Sequence, residues 1–256
     1  MKMIDWTAVY VLWLREMKRY IRSKSRIIGS LITPLLFLSF LGLGFSGIAI
    51  PGASNNVNYM SFLIPGIIGM GLLFSSTFAG LTVLLDREYG FLKEIMVAPV
   101  NRVSIVLGRT AGAITTGLIQ GILILIISLL FEFKIIGIVP FLMTIVFMIL
   151  TAATFIGLGL IFASKMKDPQ GFNLIVNFII FPLFFLSGAL YPLNNLPEAI
   201  RYVSYVDPLT YGVDGLRGAL IGVSSFPIIV DFAVLLVIST LMVILGAYFF
   251  EKSEVL

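Results

Sequence analysis

Apolar and polar positions divide the chain into long oily runs and short charged interruptions. No Asp, Glu, Lys or Arg occurs in the 59 residues from Ile27 to Leu85, nor from Thr110 to Phe131. One membrane crossing needs about 20 residues, so the first run holds two. The turn cluster Pro51-Gly52-Ala53-Ser54-Asn55-Asn56 divides them. Spans are predicted at about 27–45 (with Pro34 as a kink), 59–85, 106–131, 136–162, 172–190 and 228–250. Gly108/Gly112 and Gly117/Gly121 have the spacing of close helix contacts. In 191–226, Pro197 and Pro208 each sit where a short helix begins. Neither segment is long enough to span, so two short helices dip into the outer leaflet or cap the bundle.

Two stretches outside the spans are amphipathic. In residues 5–22, Trp6, Val9, Tyr10, Trp13, Met17 and Tyr20 share one helical face, and Arg15, Lys18, Arg19 and Arg22 the opposite one. Aromatics against bases describe a helix in the membrane interface; a partner-binding helix is the competing view. The second stretch, 86–109, is the most polar interruption. At about 100° per residue, Phe91, Leu92, Ile95 and Met96 fall on one side of a short helix. Lys93 and Glu94 point the other way. Asp86 and Glu88 are expected ahead of that helix, where its dipole favours negative charge, and Pro99 ends it. Its apolar face is too small for a domain core. It either docks on a partner or lies on headgroups.

Composition agrees with the pattern. The 256 residues are 59% hydrophobic and 12% charged, with mean hydropathy +1.08. Soluble domains carry roughly twice that charge. The expectation is an all-α polytopic membrane protein: an N-terminal interface helix and basic segment at 1–26, then one membrane domain at 27–256. Seven Lys/Arg and no uninterrupted apolar stretch in 1–26 argue against a cleavable signal peptide. With six spans, fourteen Lys/Arg fall on the side of the termini and three on the other. The positive-inside rule then puts both termini and the loop at 86–109 in the cytoplasm of a plasma-membrane protein.

Chemistry is sparse. There is no cysteine and no histidine, which removes thiol chemistry, the usual base and the commonest metal ligand. No Gly-Lys dipeptide occurs, hence no Walker A motif. No catalytic residue, no metal ligand set and no cofactor site is assigned, and nothing points to nucleic acid. Ion-coupled carriers usually place ionisable groups in their spans; here the nearest is Asp231, read as interfacial. No internal repeat supports an inverted-repeat carrier. Asp214 and Arg217, three apart, are expected to pair. Asn173 and Asn177 are spaced to bond across helices. Energy for active movement must therefore enter from outside the spans.

Three stretches carry a family likeness. They are Tyr59-Met60-Ser61-Phe62-Leu63-Ile64-Pro65-Gly66; Asp86-Arg87-Glu88-Tyr89-Gly90-Phe91-Leu92-Lys93 with Ala98-Pro99-Val100 and Leu107-Gly108; and Leu186-Ser187-Gly188 with Tyr191-Pro192, Leu196-Pro197 and Asp207-Pro208-Leu209-Thr210-Tyr211. Together they resemble the permease of type-2 ATP-binding-cassette (ABC) exporters, most closely the daunorubicin-resistance, multidrug type. The resemblance implies that the loop is a coupling helix docking on a separate ATPase, which holds the ATP and Mg. Its residues would be Arg87, Glu88, Tyr89, Gly90, Phe91, Leu92, Lys93, Glu94, Ile95, Met96 and Pro99. The interface helix, marked by Trp6, Trp13, Arg15 and Arg19, would touch the ATPase too. Two permease copies, expected to be identical, would enclose a substrate path lined by Phe74, Ser75 and Thr77 on the second span and Phe184, Phe185 and Ser187 on the fifth. Lipid-linked polysaccharide or sodium is the alternative cargo; an ATP-independent channel or scaffold is the alternative class.

Overall fold

The computed structural model describes residues 4–45, 58–90, 101–131, 133, 137–166 and 168–252, without the Arg26 side chain. Among the described residues every regular element is a helix. α1 (Trp6–Arg22) starts at Asp5, whose carboxylate accepts the Thr7 and Ala8 N–H groups and so satisfies donors the first turn leaves orphaned. α2 (Lys24–Phe37) contains Pro34 and passes into a π-helical turn, Leu38–Leu43. α3 (Tyr59–Glu88) is capped by Asn58, and α4 (Arg102–Ser128) by Asn101. α5 is Ile138–Lys165. α6 (Pro169–Ile175), capped by Asp168, runs through a second π-helical turn, Val176–Ile180, into α7 (Phe181–Leu186). The short α8 (Glu198–Ser204) and α9 (Pro208–Ile221) follow, then α10 (Ile228–Lys252).

Among the described residues, five helices are long and apolar enough to cross a membrane: Tyr59–Glu88, Arg102–Phe131, Ile138–Lys165, Pro169–Leu186 and Ile228–Lys252. A sixth span results if α1 and Ile27–Leu43, bent by 69°, count as one. The chain is a polytopic α-helical membrane protein. The second and third spans outrun their predicted ends. α3 continues through Asp86 to Glu88, and α4 begins at Arg102 because Asn101 caps it.

Glycines set the helix contacts. A Cβ on Gly108 would meet Leu12 Cβ at 2.8 Å, and one on Gly112 would meet Glu16 Cβ at 2.8 Å. The first small-residue pair therefore seats α1 on α4. Gly117 faces Leu72 and Ala152, and Gly121 faces Met148, so the second pair packs α4 against α3 and α5. The interface helix is accordingly not laid on lipid by its whole aromatic face. Leu12, Met17 and Tyr20 are buried, and Trp13 Nε1 donates to Thr115 Oγ1 at 3.0 Å. Trp6 and Tyr10 remain exposed.

α9 forms the cap at the opposite end from α1. Leu209, Val213 and Leu216 are wholly buried. Burial also pushes the Asp207 carboxyl up to about 7, against the opposing effect of the Leu209 N–H it accepts. Asp214 acts on the Arg217 charge, but the expected pair does not close into a salt bridge. Asp214 accepts the Ser225 and Phe226 N–H groups. Arg217 donates to Gly188 O at 3.0 Å and lies 3.7 Å from the Phe62 ring centroid. Each thus anchors a different turn. Asp231, expected at the interface, is fully buried, because α9 packs over the start of α10. Asn173 and Asn177 are exposed, and among the described residues no side-chain hydrogen bond joins either to another helix.

Candidate functional site

The charges that flank the loop at 86–109 do not lie in water. Asp86, in the last turn of α3, is 9% exposed, and Arg109, two turns into α4, is 4% exposed. Arg109 Nη2 meets Asp86 Oδ2 at 2.6 Å. α1 adds three more groups: Arg15 reaches Asp86 at 3.4 Å and Arg19 at 3.7 Å, while Glu16 sits 2.7 Å from Arg19 and 3.7 Å from Arg109. Three guanidiniums and two carboxylates thus join three helices. Asp86 belongs to the last turn of α3, and the loop helix expected after it lies outside the described residues.

The same stems are tied outward. Arg87 donates to Met166 O, just past α5, and Arg102 donates to Glu251 O, near the end of α10. Asp5 N–H donates to Ser104 Oγ at 3.0 Å. Both ends of the loop are therefore fixed to α1, and through these contacts to α5 and α10. Glu88 and Tyr89 are exposed beyond the cluster, and Gly90 (φ 76) turns the chain away from α3. A positive φ of this kind suits glycine, which has no Cβ to clash. Phe91, Leu92, Lys93, Glu94, Ile95, Met96 and Pro99 lie outside the described residues.

Behind the cluster lies a cavity of about 430 Å³ between α2, α3, α4 and the start of α7. Phe74 and Ser75 line it with Ser30, Thr33, Thr116, Gln120 and Phe181, and none of the described residues that line it is charged. Gln120 Nε2 donates to Ser30 O at 2.9 Å, holding α2 to α4 beside the cavity. At the Phe181 end, Phe74 stands 4.9 Å from Phe181 and 6.3 Å from Phe184 between ring centroids, and Phe37 stands 6.1 Å from Phe184. This size and mostly apolar lining fall in the range of small-molecule sites.

A membrane bundle with a clamped polar loop and an uncharged cavity is the setting in which similarity becomes informative. The family model for the ABC-2 type transporter matches residues 7–221. The chain belongs to that family. The inner membrane transport permease YadH of Escherichia coli K12 is 30% identical over 240 residues, covering 91% of this chain and 90% of its own length. Nodulation protein J of Rhizobium meliloti is 28% identical, covering 85% and 80%. The putative transport permease ycf38 of Pyropia yezoensis is 31% identical, covering 77% and 68%. As an ABC-2 permease, the chain lacks a Walker A motif of its own.

The ABC-2 permease fold brings together only part of the predicted site. Of the six path candidates, Phe74 and Ser75 line the cavity. Phe184 is buried and touches Phe74, while Phe185 is 43% exposed on the outside of the bundle. Thr77 turns toward α5, where its backbone abuts Gly159. Ser187 is buried in a turn, donating to Phe184 O at 2.8 Å. Neither Thr77 nor Ser187 reaches the cavity. Arg15 and Arg19, expected as interface residues, bind Asp86 instead of standing free on the polar face. Glu16, Gln120 and Thr116 were not singled out from sequence. The available signal was charge placement: Asp86 and Arg109, of opposite sign, border the two uncharged runs.

Proposed function

We propose that this chain is the membrane-spanning permease of an ABC exporter, moving an amphipathic or drug-like molecule out of the cell with ATP hydrolysed by a separate ATPase subunit. The ionic cluster carries the reading. It ties both stems of the loop, the end of α3 and the start of α4, to each other and to α1, so a push on that loop is delivered to the bundle as a rigid-body displacement. A loop that merely rested on headgroups would gain nothing from such anchoring. Family membership supports a permease subunit, and the uncharged cavity suits an amphipathic cargo. Two copies, with both termini and the loop in the cytoplasm, complete the proposed machine.

Co-purification tests it. The tagged permease, taken from its native membrane, should bring down an ATPase of roughly twenty-five to thirty-five kilodaltons, one or two compact domains. Phe91→Asp and Ile95→Asp should abolish that association while the permease stays in the membrane. Normal association and transport in both variants would remove the docking role. Orientation has its own test. Cysteines placed at Asn55 and Ser225 should react with an impermeant reagent from outside, and those at Lys93 and Lys167 only after permeabilisation. The reverse pattern would overturn the assigned topology.

A further inference from the structure

We infer that the cavity between α2, α3 and α4 selects an uncharged amphiphile whose head carries a hydrogen-bond donor, a hydroxyl or an N–H, over an ionised head or one that only accepts. This rests on the transport reading and deepens it by naming the head of the cargo. The apolar part of the wall is aromatic. Phe74 stacks with Phe78, ring centroids 6.4 Å apart, and Phe181 tilts against Phe74 at 4.9 Å. Such a surface accepts an alkyl or aromatic body.

The polar lining gathers where the three helices meet. Gln120 Nε2 reaches Ser30 O at 2.9 Å, and Gly71 makes room for it, since a Cβ there would lie 3.1 Å from Nε2. Ser75 Oγ lies 3.7 Å from the place a Gly117 Cβ would take, beside Thr116. The protons of these hydroxyls are already directed into their own helices. Ser30 Oγ donates to Ile27 O at 2.9 Å, Ser75 Oγ to Leu72 O at 3.4 Å, and Thr116 Oγ1 to Ala113 O at 3.0 Å. A hydroxyl has one proton and two lone pairs, so all three offer the cavity acceptors only, and the Gln120 carbonyl adds another. Even with the second Gln120 N–H and the Thr33 and Tyr20 hydroxyls counted as donors, lone pairs are in the majority. A donating head therefore finds a partner that an ether head does not.

The same wall disfavours charge. None of the described residues that line it is charged. The ionic groups behind Thr116 hold one another, Arg109 with Asp86 at 2.6 Å and Glu16 with Arg19 at 2.7 Å. A carboxylate or ammonium head would lose its water with no opposite charge in the wall to replace it.

The full chain in nanodiscs, carrying Trp6→Phe so that Trp13 is the sole tryptophan, is titrated with dodecanol, its methyl ether, dodecylamine and dodecanoate. Trp13 fluorescence is followed, since its indole bonds Thr115, next to Thr116, and protein-free nanodiscs correct for partitioning. Dodecanol should give a saturable change with an apparent Kd about fivefold below that of the ether, the effect of one net hydrogen bond. The amine and the carboxylate should each bind at least about tenfold more weakly than the alcohol. Ser75→Ala/Thr116→Val removes two acceptors with little change of volume. It should bring alcohol and ether within about twofold of each other while ether affinity holds, which shows the cavity intact. If ether binding is lost in the pair, the single variants are read in the same way. Ser75→Leu, which fills the cavity, should weaken alcohol and ether alike. Absence of saturable dodecanol binding, an ether, amine or carboxylate bound as tightly as the alcohol, or an alcohol preference that survives loss of both acceptors would overturn the inference. Co-purification of the ATPase is scored independently, so a permease that keeps its ATPase but shows no preference for a donor head fails this inference alone.

Discussion

Asp86→Asn is expected to lower stability by about 3–5 kcal/mol, the usual cost of removing one partner from a buried ion pair. The substitution leaves Arg109 in place at 4% exposure, with Glu16 at 3.7 Å as its remaining carboxylate. Arg15 and Arg19 lose the same anchor. At roughly 2–4 °C per kcal/mol for a chain of this size, the unfolding midpoint in detergent should fall by about 10 °C. The exposed Arg201–Glu198 pair provides the contrast: its oxygen is 3.8 Å away, and Glu198 is 82% exposed. Glu198→Gln should move the midpoint by no more than ~1 kcal/mol equivalent. The double variant Asp86→Leu/Arg109→Leu should recover most of the loss, since apolar replacement of a whole buried pair is often neutral. On the proposed docking role, ATPase coupling should stay lost in the double variant, because the ionic tie between the two stems and from α3 to α1 is gone, although α1 still packs on Gly108 and Gly112. A midpoint unchanged by Asp86→Asn would mean that the clamp does not hold these helices together.

The spans and the cap were legible because both follow from length and hydropathy. An uncharged run of 59 residues admits few arrangements in a bilayer, and Pro197 and Pro208 mark the starts of the two short helices. The clamp was not legible in the same way. Hydropathy treats Asp86 and Arg109 as water-seeking, and nothing local says that each will be met by the other. Only the packing of α1 on Gly108 and Gly112 brings Glu16, Arg15 and Arg19 to that point. The small-residue spacing was visible, but its partner was not, since a gap in one helix does not name the helix that fills it. The path residues show the same limit. Thr77 and Phe74 are neighbours in sequence, yet their side of α3 is decided by where α5 lies. Asp214 and Arg217 have the spacing of a pair, and each finds a stronger claim elsewhere: two backbone N–H groups for one, a carbonyl and the Phe62 ring for the other.

Gly80→Val should disrupt the bundle about as severely as losing the clamp. A Cβ on Gly80 would lie 2.4 Å from the Gly159 carbonyl carbon, and one on Gly159 would lie 2.7 Å from Thr77 O. Both obstacles are backbone, so no rotamer change relieves them. α3 and α5 would have to separate, and with them the face of α3 that carries Phe74, Ser75 and Asp86. Overpacking of a close-packed core costs about 1–3 kcal/mol, occasionally more; a backbone-to-backbone clash belongs at the upper end, about 3 kcal/mol. Gly29→Ala is the matched control. It sits in open space on α2, where alanine gains about 1 kcal/mol of helix propensity over glycine. Thermal unfolding of the two variants in the same detergent should move in opposite directions. A Gly80→Val protein as stable as the parent would mean that α3 and α5 are not in backbone contact there. The cavity wall would then lose its rigid support, and displacement of the loop stems could not be carried along α3 to Phe74.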